Sequence, residues 1–345
     1  MSASHLIGID IGTTSVKAVM IDLSGRRVAE FASAYPTHRP GPGWVEQDPE
    51  DWLRLVRAAL ARFSAHGDAA ALCLTSQVNT HVFADRNLDV LHPAIVWQDG
   101  RAAEAGAALD RGVGFEEKIA WLGAPIPVDA SHALSRMAWM RDARPDVWAR
   151  TAHLLLPRDW VLARLTGALV TDPISSVGLV TPGFTYADPL IARLEGAAQR
   201  LVPLADPFAV VGHLGGDGPF AGVPVVLGVM DAWASLFGLG VAQDGEGFYL
   251  SGTSDVLGIM SGDLFPQTGI VTFPDWRGLR LHAAPTQSGG ASLDWAARLL
   301  GRPVDDVAGL ARVLGDDAPL FLPHLQGERA PIWDAASRGG FAGLT

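Results

Sequence analysis

Apolar and polar positions alternate from the first residues. Leu6, Ile7, Ile9 and Ile11 form a short run with strong β preference, Gly12-Thr13-Thr14-Ser15 interrupts it, and Val16-Lys17-Ala18-Val19-Met20 resumes the pattern. Two such runs joined by a small-residue turn predict a β-hairpin. Arg27 to Tyr35 predicts a third strand, and Pro36 to Pro42, rich in proline, a loop. Asp48-Pro49-Glu50-Asp51 reads as a helix start with Asp48 as N-cap; Trp52, Val56, Leu60 and Phe63 then recur at helical spacing, which makes that face core and gives Trp52 no other task. Ala69 to Thr75 is a continuous apolar strand that ends in Ser76-Gln77-Val78-Asn79-Thr80-His81 before a second strand near Val82-Phe83. Leu91 to Arg101 repeats the design, an apolar approach followed by Trp97, Asp99 and Arg101; the last two stand at a spacing that lets them pair with each other.

Farther along, Val223 to Val229 predicts a strand that runs into Asp231, which opens a small-residue helix to Gly240. Phe248 to Ser254 then repeats the strand-plus-turn logic of the N-terminus with Gly252-Thr253-Ser254. Gln287-Ser288-Gly289-Gly290 precedes an amphipathic helix from Leu293 to Leu300, and Ala284 to Gly290 reads either as a hinge or as a plain loop. A strand that delivers Asp10 into a Gly-Thr-Thr-Ser turn suits polyphosphate chemistry, because backbone N–H groups and hydroxyls meet phosphate oxygens while a carboxylate holds a hydrated cation. An ordinary hairpin with a polar turn in water is the competing reading.

Composition narrows the function. With 345 residues, 48% hydrophobic and 18% charged, the chain can bury a sizeable core in about two domains. A net charge of -11 argues against nucleic acid or an acidic membrane as partner and favours a small soluble ligand. No basic-then-apolar leader and no long uncharged run is present, so cytoplasmic residence is the expectation. The single cysteine, Cys73, lies in an apolar run and reads as a strand residue. His81 alone reads as structural.

Six segments carry a resemblance. I-D-I-G-T-T-S-V-K at the start, W-V-E-Q-D-P-E-D-W (Trp44 to Trp52), A-I-V-W-Q-D-G-R (Ala94 to Arg101), L-L-L-P-R-D-W-V-L-A-R-L-T-G (Leu154 to Gly167), Gly228-Val229-Met230-Asp231-Ala232 and Phe321 to Thr345 together resemble the FGGY carbohydrate kinases, in the order in which that family carries them. The resemblance implies an α/β fold of two actin-like (ribonuclease H-like) domains with a cleft between them: residues 1–243 for sugar and phosphate binding, residues 244–345 for the nucleotide side. Family members continue past the last of these segments, so it also implies a truncated chain whose second domain is incomplete.

By the same resemblance the chain is an ATP-dependent kinase acting on a small ketose or polyol, xylulose being the nearest named acceptor. Asp231 is the expected base; Asp10 and Asp231 are the expected Mg²⁺ ligands. Gly12, Thr13, Thr14 and Lys17 on one side, and Gly252, Thr253, Ser254, Gly289 and Gly290 on the other, are the expected nucleotide contacts, although Lys17 reads equally well as an exposed strand residue. Gln77, Val78, Asn79, Trp97, His132 and Asp231 are the expected acceptor contacts. The chain departs from the family at Val78-Asn79, where xylulokinases carry Met-His and glycerol kinases Arg-Glu, and at Ala232, where those groups carry Asn or Gln; Asp255 after the second turn is also unusual. A buried hydroxyl left unpaired is penalised heavily, so these changes alter which acceptor is read. A sugar-binding protein without turnover and an actin-like ATPase without an acceptor are the alternatives, and a homodimer is the candidate assembly.

Overall fold

The structure is a computed structural model describing residues 5–252, 254–310, 318–334 and 336–344. The chain divides into two compact units, residues 1–117 with 127–239, and residues 118–126 with 240–345. The division after Leu239 lies just ahead of the 243/244 boundary expected from the sequence, and the assignment of residues 118–126 to the second unit has no counterpart in that expectation.

Ten strands belong to the first unit: β1 (His5–Ile11), β2 (Ser15–Asp22), β3 (Arg27–Ala34), β4 (Glu46–Gln47), β5 (Ala69–Ser76), β6 (His81–Ala84), β7 (Val90–Ile95), β8 (His153–Leu155), β9 (Val210–His213) and β10 (Pro224–Val226). Its helices are α1 (Pro49–Phe63), α2 (Ala103–Asp110), α4 (Ala133–Ala143), α5 (Pro145–Arg150), α6 (Pro157–Thr166), α7 (Asp188–Ile191) and α8 (Asp231–Leu239), while α3 (Phe115–Leu122) runs across the division at residues 117 and 118. The main sheet has the order β3-β2-β1-β5-β10-β9, with β1, β2 and β3 an antiparallel meander and β5 and β10 parallel to β1. This is the ribonuclease H-like arrangement anticipated above. A second sheet has the order β4-β7-β6-β8.

Strand periodicity separates the two faces of β1. Ile7, Ile9 and Ile11 point one way and are buried against Trp52, Val56, Leu60 and Phe63 of α1 and Trp160 of α6; Gly8 and Asp10 point the other way. Each buried isoleucine contributes roughly 1.5–3 kcal/mol relative to exposure. Helix α1 starts as its sequence dictates, the Asp48 carboxylate accepting the Glu50 N–H with Pro49 behind it. The segment Leu154 to Gly167 divides into a short strand and a helix, because Pro157 fixes a helical first turn while Leu154 and Leu155 pair with Phe83 and Val82. The strand expected over Val223 to Val229 is confined to β10, since Gly228 turns the chain.

The second unit carries β11 (Gly247–Ser251), β12 (Asp255–Ser261), β13 (Val271–Thr272) and β14 (Arg280–Pro285) in an antiparallel sheet of order β11-β12-β14-β13. Helices α9 (Gly290–Leu300) and α10 (Val304–Leu310) and the hairpin of β15 (Leu320–Leu322) and β16 (Gly340–Ala342) complete its description. Among the described residues no helix is long and apolar enough to cross a membrane.

Candidate active site

The β1–β2 hairpin closes with the Gly12 N–H donated to the Ser15 carbonyl at 3.1 Å. Asp10 lies beside this turn: a Cβ on Gly12 would stand 3.3 Å from Asp10 Oδ2 and 3.4 Å from the Ser15 carbonyl, so glycine leaves room for the carboxylate. Asp10 Oδ1 is buried without a hydrogen-bond partner. Burial, and next the charge of Asp231, push this carboxyl up to about 6, against the pull of Lys17. Lys17 itself is exposed, and so is Thr14. Thr13 is held at two points: its hydroxyl accepts the Trp97 indole N–H at 3.0 Å and its carbonyl accepts the Gln47 amide N–H at 2.8 Å. The Tyr35 hydroxyl donates to the Gly12 carbonyl.

Asp231 reaches the same unit from the other side of β5. Gly228 has φ +78°, and a Cβ there would stand 1.8 Å from the Leu74 carbonyl, so the chain crosses β5 at a distance only glycine permits. Three contacts then fix the crossing. Thr75 Oγ1 donates to the Val229 carbonyl at 2.6 Å, the Met230 N–H donates to Ser175 Oγ at 2.9 Å, and Arg158 Nη1 donates to the Gly228 carbonyl at 2.9 Å. Arg158 is itself neutralised by Asp159 at 2.6 Å and Asp172 at 2.7 Å, with all three side chains no more than 1% exposed. Asp231 is the first residue of α8, and its carboxyl accepts the Ala232 N–H at 2.8 Å. The sequence leaves burial and the helix terminus opposed; burial prevails and raises this carboxyl above the ordinary range.

The expected acceptor residues separate into two groups. Trp97, Val78 and Asn79 are half-buried, Asn79 in the left-handed conformation at φ +55° that asparagine tolerates. Gln77 is 1% exposed, its Nε2 donating to Gln47 Oε1 at 2.9 Å and its Oε1 accepting from Thr80 Oγ1 at 3.1 Å. Both polar atoms of the Gln77 amide thus have partners inside the protein. His132 is engaged in the same way. It is the N-cap of α4, its Nδ1 accepting the Leu134 N–H at 3.2 Å and its Nε2 donating to the Gly178 carbonyl at 3.0 Å, so both ring nitrogens have structural partners. His81 is buried and held neutral by that burial, well below the usual histidine range. Asp99 and Arg101 pair as their spacing suggested, and Arg101 adds Glu46 at 2.8 Å while lying over the Trp44 ring at 3.9 Å.

In the second unit, β11 and β12 form the hairpin that echoes the first, with Ser251 opposite Asp255. Thr253 lies outside the described residues. Gly252, Ser254, Gly289 and Gly290 come together: the Gly290 N–H donates to the Gly252 carbonyl at 2.7 Å, and a Cβ on Gly289 would stand 2.9 Å from Ser254 Cα. Within Ala284 to Gly290, the Gln287 N–H donates to Glu328 Oε1 at 2.6 Å and Ser288 Oγ to the Pro323 carbonyl at 2.5 Å.

Asp10, Lys17, Thr75, Gly228 and Val229 also border a cavity of about 820 Å³ whose other walls include Phe31, Phe208 and Phe237. Arg27, Glu30 and Arg62 stand among the same walls. The carboxylates of Asp10 and Asp231 suit a magnesium ion, which takes one or two protein carboxylates and completes its shell with water and phosphate; the orphaned Asp10 oxygen is the observation that fits.

A family model described as the N-terminal domain of the FGGY family of carbohydrate kinases matches residues 5–180. This chain belongs to that family. FGGY carbohydrate kinases are phosphotransferases with an alcohol group as acceptor and ATP as donor. The chain is 31% identical to the xylulose kinase of Klebsiella pneumoniae over 355 residues, covering 98% of this chain and 73% of that one. It is 31% identical to the glycerol kinase of Thermus brockianus over 373 residues, covering 99% and 73%. The crystal structure of gluconate kinase from Lactobacillus acidophilus superposes with a TM-score of 0.91 at 25% identity, covering 100% of this chain and 73% of that one. Within this FGGY chain, Gln47, Tyr35, Arg158 and Ser175 are the site-building residues that sequence reasoning passed over. Gln47 and Arg158 stand inside segments that carried the resemblance, W-V-E-Q-D-P and L-L-L-P-R-D-W, and that was their only signal.

Proposed function

We propose that this chain transfers the γ-phosphoryl group of ATP to a hydroxyl of a small ketose or polyol, with xylulose as the first acceptor to try and Asp231 as the base. The observation that carries the reading is the Asp10–Asp231 pair: two half-buried carboxyls, each raised by partial burial, in the unit that carries the Gly-Thr-Thr-Ser turn. Phosphoryl transfer requires in-line placement, neutralised phosphate oxygens and a proton acceptor. The turn would bind phosphate oxygens through the backbone N–H groups of Thr13 and Thr14 and the exposed Thr14 hydroxyl, the Gly12 N–H being held by the Ser15 carbonyl. Trp97 and the Val78-Asn79 turn would orient the acceptor. Asp231, fixed at the head of α8 by the Gly228 crossing, would take the hydroxyl proton, and a raised pKa brings a carboxylate nearer the range in which a base works at neutral pH. Magnesium, held by Asp10 and Asp231, would supply charge neutralisation to the transferring phosphoryl.

Relatives that act on xylulose, glycerol and gluconate all align along nearly the whole chain, so family membership leaves the acceptor open. Val78 and Ala232 lack the charged and amide groups that glycerol kinases carry at those positions, which favours an acceptor read by shape and a few hydroxyls. ADP release from Mg·ATP should be measured with xylulose, ribulose, gluconate, erythritol and glycerol. Stimulation by one ketose or polyol well above the others supports the reading; equal release with and without every acceptor overturns it in favour of an ATPase.

A further inference from the structure

Five buried or half-buried side chains close a ring of hydrogen bonds that no single motif contains. Gln47 Nε2 donates to the Thr13 carbonyl, Gln77 Nε2 to Gln47 Oε1, Thr80 Oγ1 to Gln77 Oε1, the Trp97 backbone N–H to Thr80 Oγ1 at 3.1 Å, and the Trp97 indole N–H returns to Thr13 Oγ1. The direction of the chain is forced by one group. The Thr13 carbonyl can only accept, so Gln47 presents its NH₂ there and its oxygen to Gln77; Gln77 then presents its NH₂ to Gln47 and its oxygen to Thr80, which donates its hydroxyl and is left to accept from Trp97. Gln47 and Thr80 are 0% exposed and Gln77 1%. Gln47 Nε2 also donates to Thr37 Oγ1 at 2.8 Å, so every polar atom of its amide is used.

We propose that Gln47 is a positioning residue of the kinase reaction: through this ring it sets the Thr13 peptide of the phosphate turn relative to Trp97 and the Gln77–Asn79 turn on the acceptor side. The inference rests on the kinase reading above, but it adds a residue that touches neither ligand. Removing the amide releases the Thr13 carbonyl and the Gln77 NH₂ together, and buried polar groups do not stay unpaired without rearranging. The Thr13 residue is then tied to Trp97 through its hydroxyl alone, and the orientation of its peptide is no longer fixed. Gln77 and Thr80 transmit the effect and Trp97 receives it.

The test uses Gln47→Met, which keeps length and removes every hydrogen bond, and Gln47→Glu, with Trp97→Phe for a double-mutant cycle. In Gln47→Met, kcat/KM for ATP should fall about tenfold or more, and calorimetry should show ADP binding weakened to a similar degree. Trp97→Phe removes one link of the same ring, so the double variant should lose much less than the product of the single losses. Gln47→Glu gives a pH signature. A protonated carboxyl supplies one donor and one acceptor and partly restores the ring, whereas an ionised one cannot donate to Thr13, so its activity relative to wild type should drop as pH rises from 6 to 8.

If Gln47→Met melts lower but keeps kcat, both KM values and ADP affinity within about twofold, Gln47 is only structural and the proposal is overturned. Multiplying losses in the cycle, or a flat Gln47→Glu ratio across pH, also overturn it. Should Gln47→Met not fold, Gln47→Glu decides alone. Should wild type bind ADP but phosphorylate no sugar, the kinase reading fails and ADP affinity of the variants still decides for or against Gln47; should wild type bind no ADP, both fall.

Discussion

Asp10 and Lys17 face each other in the β1–β2 register, yet the lysine does not offset burial, and the Asp10 carboxyl stays up at about 6. A carboxyl whose native pKa lies above its unfolded value of 3.8 holds its proton more tightly in the fold. Its contribution to stability is therefore favourable below about pH 4 and is lost as pH rises toward 6. Asp10→Asn should stabilise the ligand-free protein by on the order of 2 kcal/mol at pH 7.5 and by little at pH 4. Urea unfolding at the two pH values measures this; an equal effect at both would show that Asp10 ionises freely.

Asp231 is displaced in the same direction by burial. If it is the base, kcat should fall as the solution is acidified through a midpoint above the ordinary carboxylate range, because the protonated form cannot accept the hydroxyl proton. A pH profile of kcat at saturating substrates checks it, and an acidic midpoint near that of a free aspartate would remove the argument.

Gly228→Ala places a methyl group against the Leu74 carbonyl at a positive φ. No flexible side chain is available to yield, so the variant should lose on the order of 3–5 kcal/mol or fail to fold. Gly216→Ala is the comparison, since Gly216 also has positive φ but nothing lies within 4 Å of its added Cβ; it should lose only about 1 kcal/mol. Thermal melting separates the two.

Arg158→Met removes the cation between Asp159 and Asp172 and leaves two buried carboxyls without compensation. Breaking a buried pair from one side costs about 3–5 kcal/mol. The variant also frees the Gly228 carbonyl, so any folded fraction should show a lower kcat with little change in acceptor KM. An unchanged melting temperature would contradict the network.

Much of this site was legible because β periodicity is strict. Alternation in Leu6 to Ile11 put Ile7, Ile9 and Ile11 on one face and Asp10 on the other, and the second Gly-Thr-Ser declared its hairpin in the same way. The partners of Gln77 and His132 were not legible for one reason: residue type tells which atoms can bond, and only the fold tells which partners reach them. Gln47 and Arg158 escaped notice because their partners lie far away in sequence, at Gln77 and at Asp172 and Gly228, and no local spacing encodes such contacts. The contacts of Gln287 with Glu328 and of Ser288 with Pro323 are of the same long-range kind.

The central claim is transfer to a sugar hydroxyl with Asp231 as base. The measurement is incubation of the protein with γ-labelled Mg·ATP and xylulose, followed by separation of sugar phosphate from inorganic phosphate, with Asp231→Asn in parallel. The account predicts labelled sugar phosphate from the wild type and a loss of at least about 10²-fold in the variant, the lower end of what a positioned base contributes. Label appearing only as inorganic phosphate, or sugar phosphate formed equally by the variant, would contradict it.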